Sequence, residues 1–439
     1  MNTVFSEISS LINKTVAGQY DCGNENILSL FRNADSDDFN KITDFLISSS
    51  YKLSQSSAID NFHSCTFVSP SSDYKVVLML DSCLSELRVV LDSYSPDLNI
   101  ISGEAGETQV KLWQYEIDHS LIDCGMCYIM QCSDYSFFIV DSAHTYSVND
   151  DIRIFDFLRS KTPAHLPVVV SCWFLSHGHV DHIGKLLDIL KYNKEIVIKG
   201  LYYNFVPNDH FSSYNWLPSD VNHTEQFNEF IAKNSSIPVY KLHSGQYFYI
   251  DSLRVDVLCT HEDIFPGDLE NYNDSSVVIM VTCKDDKICF PGDAGGAESR
   301  ILENRFPDFL RCDIMQVAHH GHFGTSSDFY RLADASVSLF ATTYIKFEEE
   351  LPHYEANRVA CELAEHTFIA SDGTVEFSFP LKDSLIKVYP DEIIENFEGI
   401  YNLWSYSYSD EYKAQLINRH KSFSDFRELK FTKKPIKKK

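Results

Sequence analysis

The sequence predicts a layered α/β fold, and three observations carry the prediction. From about residue 113 onward, short apolar runs rich in β-branched and aromatic residues alternate with turns and helix-like stretches, which implies sheets flanked by helices. One of these runs, residues 168–175, passes directly into Ser176-His177-Gly178-His179-Val180-Asp181-His182-Ile183-Gly184, so reactive side chains crowd a strand end. The third is bulk: 439 residues with 44% hydrophobic content suffice for a large core, and the length prior allows roughly two or three domains.

Taken in order, residues 1–112 read as an accessory domain of mixed α/β character. Residues 39–53 have helical spacing, while 75–80 and 86–91 look like adjacent strands joined across Asp81-Ser82-Cys83. His63 has no partner nearby in sequence and reads as structural. Residues 113–390 form the main domain, with strands expected at 128–131, 137–140, 168–175, 196–203, 255–258, 277–282, 288–290 and 314–317, and a helix-like stretch at 184–192. Residues 207–222, rich in Asn, Asp, Ser, His and aromatics without a clean period, read as a long loop of the kind that lines a site. Residues 391–439 read as a C-terminal helical appendage, with Trp404, Tyr406 and Tyr408 as packing residues, ending in a solvated basic tail.

Composition removes several function classes. There is no basic start followed by an apolar run, and no stretch of about eighteen uncharged apolar residues, so neither secretion nor membrane insertion is indicated. Twelve cysteines spread through a large chain, many inside apolar runs, read as reduced and cytoplasmic. Cys124-Gly125-Met126-Cys127, with Cys132 nearby, lacks the second pair that a four-thiolate zinc site needs and reads as buried strand cysteines. A formal net charge of −26 repels a polyanion and disfavours long DNA or RNA. A Gly-x-Ser-x-Gly elbow, a Gly-x-x-x-x-Gly-Lys phosphate loop and a Gly-x-Gly-x-x-Gly fingerprint are all absent, which argues against serine hydrolase, NTPase and dinucleotide chemistry.

What remains is metal chemistry. His177 and His179, two apart on an extended chain, face one side, while Asp181 and His182 fall where the chain turns toward a helix. Four donors in six positions exceed what one tetrahedral ion takes from so short a segment, so two divalent ions are expected to share the cluster. Further ligands follow other candidate strands. Asp293 sits among small residues in Pro291-Gly292-Asp293-Ala294-Gly295-Gly296, where a carboxylate can approach and bridge two cations about 3.5–4 Å apart. His319-His320-Gly321-His322 follows the run at 314–317 and offers a ligand to the second ion, and His261, after 255–260, is placed to complete the first ion's shell.

The order Asp141, then His177-x-His179-x-Asp181-His182, then Asp293, then His319-His320 resembles the metallo-β-lactamase fold superfamily. Phe138-Ile139-Val140-Asp141, Asn273-Asp274-Ser275-Ser276-Val277-Val278, Pro291-Gly292-Asp293, His319-His320-Gly321 and Ala370-Ser371-Asp372-Gly373 further resemble the hydrolase domain of ComEC competence proteins and their soluble relatives, bacterial phosphorylcholine esterases among them. Together these motifs span about residues 115–380 and inherit nothing for the two ends of the chain. The resemblance implies an αββα four-layer sandwich with an N-terminal mixed α/β accessory domain, and a dinuclear centre of two divalent metal ions, zinc or manganese. It assigns His177 and His179 to the first ion, Asp181 and His182 to the second, Asp293 to the bridge, and Asp141 to orienting the histidine loop. Of the late pair it assigns His320 to the second ion and His319 to a substrate phosphate, although the sequence alone supports the reverse equally. A histidine common in the superfamily between the first cluster and the bridge has only His261 to match it here, with His243 a weaker substitute. His353 resembles a late histidine near the site, and Asp274 and Ser276 are placed to contact substrate, although turn and strand capping explains them as well.

The implied chemistry is metal-assisted hydrolysis. Paired cations make water acidic enough to react near neutrality, Asp181 holds the nucleophile, and His319 stabilises charge on phosphoryl oxygens. The His-His-Gly pair points to a phosphodiester, and the acidic surface points to a small one. The alternatives are a ComEC-like nuclease on single-stranded DNA and a metal-bound, non-catalytic binding protein.

Overall fold

A computed structural model describes residues 2–389 apart from 24–25, 94, 105, 120–121, 148, 194, 208–217, 235, 270 and 383–385, and all counts and absences below refer to the described residues. The appendage expected at 391–439 lies outside them.

The N-terminal region comprises α1 (Asn2–Ile12), β1 (Gly18–Gly23), β2 (Asn26–Arg32), α2 (Ser36–Ser48), β3 (Lys52–Ile59), β4 (Phe62–Val68), β5 (Lys75–Asp81) and β6 (Glu86–Asp92). The strands form one antiparallel sheet in the order β1-β2-β6-β5-β4-β3. Asp35 caps α2 by accepting from the Asp37 and Asp38 amides, which satisfies donors the first turn leaves open. The helix expected at 39–53 ends earlier, at Ser48, because Ser50 adopts a left-handed φ of 67° and Lys52 opens a strand. His63 lies in β4, its ring edge-on to Phe39. Both helices pack on one sheet face, where Ile8, Ile42 and Leu46 meet Phe67, Leu78 and Val89.

Two further sheets make the sandwich. In the first run β7 (Lys111–Gln114), β8 (Tyr128–Gln131), β9 (Phe137–Val140), β10 (Val168–Phe174), β11 (Ile196–Ile198), β12 (Leu201–Tyr203) and β13 (Val239–Lys241), flanked by α3 (Asp150–Lys161), α4 (Leu186–Tyr192) and α5 (Pro218–Lys233). In the second run β14 (Tyr247–Ile250), β15 (Leu253–Cys259), β16 (Val278–Cys283), β17 (Asp286–Phe290), β18 (Ile314–Gln316), β19 (Val337–Phe340) and β20 (His366–Ile369), with α6 (Gly296–Arg305), α7 (Ser327–Ala333), α8 (Tyr344–Glu350) and α9 (Glu355–Leu363). β21 (Thr374–Ser378) and β22 (Lys387–Tyr389) return to the first sheet beside β7. The strand expected at 196–203 is two short ones, β11 and β12, both parallel to β10 and separated at Lys199–Gly200. The loop expected at 207–222 gives way to α5 at Pro218, a residue whose fixed φ suits a helix start.

Inward-facing Phe138, Phe174, Val257, Ile279, Phe290 and Leu339 fill the space between the two sheets, and helices cover the first sheet's outer face. This is the αββα sandwich. On the second sheet's outer face α6, α7 and α9 share the cover with the N-terminal sheet, whose Leu28, Leu30, Val77 and Val90 join one apolar cluster with Leu258, Val278 and Met280. A buried polar seam accompanies this contact. Arg305, fully buried, pairs with Asp81 at 2.6 Å and Asp263 at 2.7 Å, Arg88 donates to the carbonyls of Asp263 and Phe265, and His243 lies between Glu262 at 2.8 Å and Asp92 at 3.4 Å.

Candidate metal centre

The centre forms at one sandwich edge, where parallel strands of both sheets end together. β9 and β10 are parallel, as are β17, β18 and β19, and the turns after their carboxyl ends carry Asp141, His177 through His182, Asp293, His319, His320 and Ala341. Such edges are where α/β sheets place ligands. Gly292 lets the two sheets meet there: its φ is +61°, and an added Cβ would lie 2.9 Å from the Ser176 Cβ. Gly178 is similarly confined, since a Cβ would lie 2.2 Å from the Tyr272 hydroxyl.

Donor atoms converge tightly. His177 Nε2 lies 2.9 Å from His179 Nδ1, and His182 Nε2 lies 3.1 Å from His320 Nε2. Asp181 Oδ2 is 3.1 Å from His320 Nε2, and Asp293 Oδ2 is 3.2 Å from His182 Nε2, 3.5 Å from His320 Nε2 and 3.8 Å from His177 Nε2. Two groups result, one of Asp181, His182, Asp293 and His320, the other of His177, His179 and Asp293, with Asp293 common to both.

Hydrogen bonds on the far side of each ring set which nitrogens face inward. His182 Nδ1 donates to Asp141 Oδ2 at 2.7 Å, His320 Nδ1 donates to the Ala341 carbonyl at 2.9 Å, and His177 Nδ1 faces the Ser176 hydroxyl at 3.1 Å. A neutral imidazole whose N–H is engaged outward turns a lone pair inward. His182 and His320 therefore meet lone pair to lone pair, which is repulsive unless a cation or proton lies between them. Asp293 Oδ1, completely buried, has no hydrogen-bond partner of its own. Buried polar atoms are rarely left so, and a bridging carboxylate would have this appearance. On these observations the residues fit a pair of divalent cations.

The protonation states agree. Burial opposes charge on Asp181 and Asp293, but the surrounding imidazoles hold both carboxyls well below the usual range. Burial pushes His179 down to about 4 and, with its histidine neighbours, His177 well below 6.5. Burial also opposes charge on His182 and His320, yet Asp293 and Asp181 outweigh it and raise both, so in the absence of a cation these two compete for protons. Ionised carboxylates and deprotonatable imidazoles are what a divalent ion requires.

Asp141, itself in a left-handed conformation with φ 58°, accepts from the Ser176 amide and hydroxyl at 2.8 Å each as well as from His182, and so aims the histidine loop. His319 stands just outside both donor groups. Its Nε2 is 3.9 Å from Asp293 Oδ2 and accepts from the Asn273 amide at 3.1 Å, while its Nδ1 donates to the Phe323 carbonyl. His319 and His320 both have left-handed backbones, φ 51° and 56°, which a non-glycine residue keeps only where the surroundings enforce it.

Of the other sequence candidates, Ser276 supports the site, its hydroxyl 3.4 Å from His177 Nδ1, and the rest fall outside the donor groups. His261 is held away from the cluster, its Nε2 facing Asn204 Oδ1 at 3.0 Å and its Nδ1 facing the Tyr20 hydroxyl of the N-terminal sheet at 3.1 Å. His243 belongs to the buried seam. Asp274 accepts from the Asn271 amide and caps a short 3-10 turn, and Ser276 accepts from the Asp293 amide. His353 is exposed on the turn between α8 and α9. Of the late pair, His320 and not His319 falls within a donor group.

Sequence reasoning missed several neighbours. Asp220 on α5 lies 3.9 Å from His179 Nε2, accepts from the Val180 amide, and is pushed up to about 7 by burial and then Asp181. The Tyr272 ring stands 4.9 Å from that of His179, and the Cys124 thiol donates to Asp181. His144 is buried near Asp181, burial pressing it down to about 4. None of these carries a local motif.

Residues 127–333 match the family model of the metallo-beta-lactamase superfamily, and the chain contains a domain of that superfamily. No curated protein matches it. Among solved structures, CmlA, a diiron beta-hydroxylase from Streptomyces venezuelae, is 11% identical over 62% of this chain and 55% of its own, with a TM-score of 0.38. A flavo di-iron protein from Thermotoga maritima is 10% identical over 42% and 39%, TM-score 0.23, and a metallo beta lactamase from Hirschia baltica is 13% identical over 48% and 87%, TM-score 0.25. The chain thus spans about half the length of CmlA.

Proposed function

We propose that the protein is a metal-dependent hydrolase of a small phosphodiester, related to the soluble ComEC-like branch and loaded with zinc or manganese. The observation that carries this reading is the buried Asp293 carboxylate common to both donor groups, whose Oδ2 lies 3.2 Å from His182, 3.5 Å from His320 and 3.8 Å from His177 while its Oδ1 has no hydrogen-bond partner. Two divalent cations held by those donors would supply an acidified water and positive charge for the phosphoryl oxygens.

The chain's own residues do the rest. Asp181, partly exposed at the edge of the second group and 3.1 Å from His320 Nε2, is placed to orient the attacking water. His319 is fixed by the Phe323 carbonyl so that Nε2 faces the cluster, and a phosphate's charge favours the proton that turns this nitrogen into a donor. Asn273 donates to the same nitrogen while the ring is neutral and must release it when the proton arrives. The net charge of −26 favours a small substrate over a long nucleic acid. All twelve cysteines are free, which suits a reducing, cytoplasmic setting, and no described helix is long and apolar enough to cross a membrane.

The test combines metal analysis with turnover of bis(p-nitrophenyl) phosphate. Two ions per chain and hydrolysis that falls to background in His179→Ala and Asp293→Ala are expected. Bound metal without turnover of any phosphodiester would identify a scaffold instead, and turnover confined to β-lactams or thioesters would identify another hydrolase class.

A further inference from the structure

The loop that carries the two late histidines also carries an aromatic ring the fold does not use. Phe323 is 56% exposed, in a chain whose phenylalanines mostly line the core. A single exposed apolar residue is ordinary, but this one has a particular address. Its carbonyl accepts from His319 Nδ1, and its ring stands edge-on to the His319 ring with centroids 5.0 Å apart. The opposite nitrogen of that imidazole is 3.9 Å from Asp293 Oδ2. The ring thus lies one imidazole's width from the reacting centre.

The segment that holds the ring there is conformationally costly. His319, His320 and Gly321 run through three consecutive left-handed residues with φ 51°, 56° and 89°. His320 is anchored to Ala341, and Asn357 donates to the Gly321 carbonyl. Tyr354 stands 6.5 Å from the Phe323 ring and widens the aromatic edge. The neighbouring charged groups are engaged with one another, Lys346 with Glu349 and Glu350 and His322 with Glu350, so the edge offers its π-surface rather than a free charge.

Resting on the reading of the centre as a phosphodiesterase, we infer that Phe323 is a stacking platform and that the substrate carries a planar nucleobase on one arm of its phosphodiester. A phosphoryl group held at the metal centre beside His319 would project one ester arm past His319, toward the exposed ring. Stacking of a base on an aromatic side chain contributes about 1–3 kcal/mol, equivalent to roughly 5- to 150-fold in affinity. The ring face accepts any base, so the selectivity is for a nucleotide over an aliphatic ester rather than for one sequence.

The experiment titrates the zinc-loaded full-length protein with inorganic phosphate, ribose 5-phosphate and adenosine 5′-monophosphate by calorimetry, in the wild type, Phe323→Leu and Phe323→Trp. The expected wild-type preference for the adenosine ester over ribose 5-phosphate is at least about fivefold. It collapses toward one in Phe323→Leu, which keeps apolar bulk but loses the π-face, and persists in Phe323→Trp. A wild-type preference near one, or one unchanged in Phe323→Leu, overturns the inference while leaving the phosphodiesterase reading intact. Failure of all three phosphates to bind overturns both.

Discussion

If the proposed centre holds two ions, Asp141→Asn should distinguish the one at His182 from the one at His177 and His179. The native carboxylate accepts three hydrogen bonds, from the Ser176 amide and hydroxyl at 2.8 Å and from His182 Nδ1 at 2.7 Å, and is completely buried. An asparagine keeps the shape but supplies one acceptor and one donor. If its oxygen faces His182, its NH2 confronts the Ser176 amide; if its NH2 faces His182, the imidazole proton must move to Nε2 and the inward lone pair is lost. Either way a buried charge-assisted hydrogen bond disappears, at a cost of about 1.5–3 kcal/mol. The expected result is a loss of roughly 10- to 100-fold in affinity for one ion, the range found for partners that orient metal-bound histidines. The ion held by His177 and His179 should be affected far less. Titration of the metal-free protein against a competing chelator, with circular dichroism to verify folding, measures both affinities. Two wild-type affinities, or loss of both ions from a folded protein, would refute the argument that Asp141 acts through His182.

Arg305→Leu leaves Asp81 and Asp263 buried without their cation, and should lower stability by about 3–5 kcal/mol in urea denaturation. The His243 seam gives a pH signature. Burial opposes its charge, but Glu262 and Asp92 outweigh it and raise its pKa to about 9, so its contribution is whole below about 6.5 and is lost as pH rises through 9. Burial likewise opposes ionisation of Glu262, yet His243 lowers it to about 2, so its contribution is whole above about 4.5 and is lost as pH falls toward 2. The stability difference between wild type and His243→Gln, from melting temperatures across pH, should therefore be greatest between about pH 4.5 and 6.5. Chelation at neutral pH should abolish turnover and lower the melting temperature, since only the folded state presents the converged donors; zinc or manganese should restore both.

The densest part of the centre was legible because its chemistry is local. His177, His179, Asp181 and His182 follow an apolar strand within six positions, and Asp293 and His320 each follow another apolar run beside glycine, so strand ends and ligands appear together in the chain. The sandwich was legible for a related reason: β8, β9, β10, β17 and β18 are short, apolar and bounded by turns. His261 shows the limit. It too follows a strand, but whether such a histidine turns to a metal or to Tyr20 depends on the N-terminal sheet, and contacts between distant segments leave no trace in local pattern. Asp220 was hidden because the stretch before α5 has no periodicity and a proline such as Pro218 punctuates a loop as readily as it opens a helix, so nothing local marked a carboxylate brought to His179. The strand at 196–203 and the helix at 39–53 ran together or ran on because apolar spacing alone does not register a break at Gly200 or a left-handed Ser50.

The N-terminal sheet occupies ground that helices alone would otherwise have to cover. A fragment cut to residues 127–333 would bare Val278 and Met280, lose the mates of Arg305 and His243 on the other side of the seam, and forfeit the strand at Lys111–Gln114 together with β19 to β21. For this molecule the smallest fragment that keeps its core covered is therefore larger than the segment matching the superfamily, and anyone trimming it for expression should leave the first hundred residues in place.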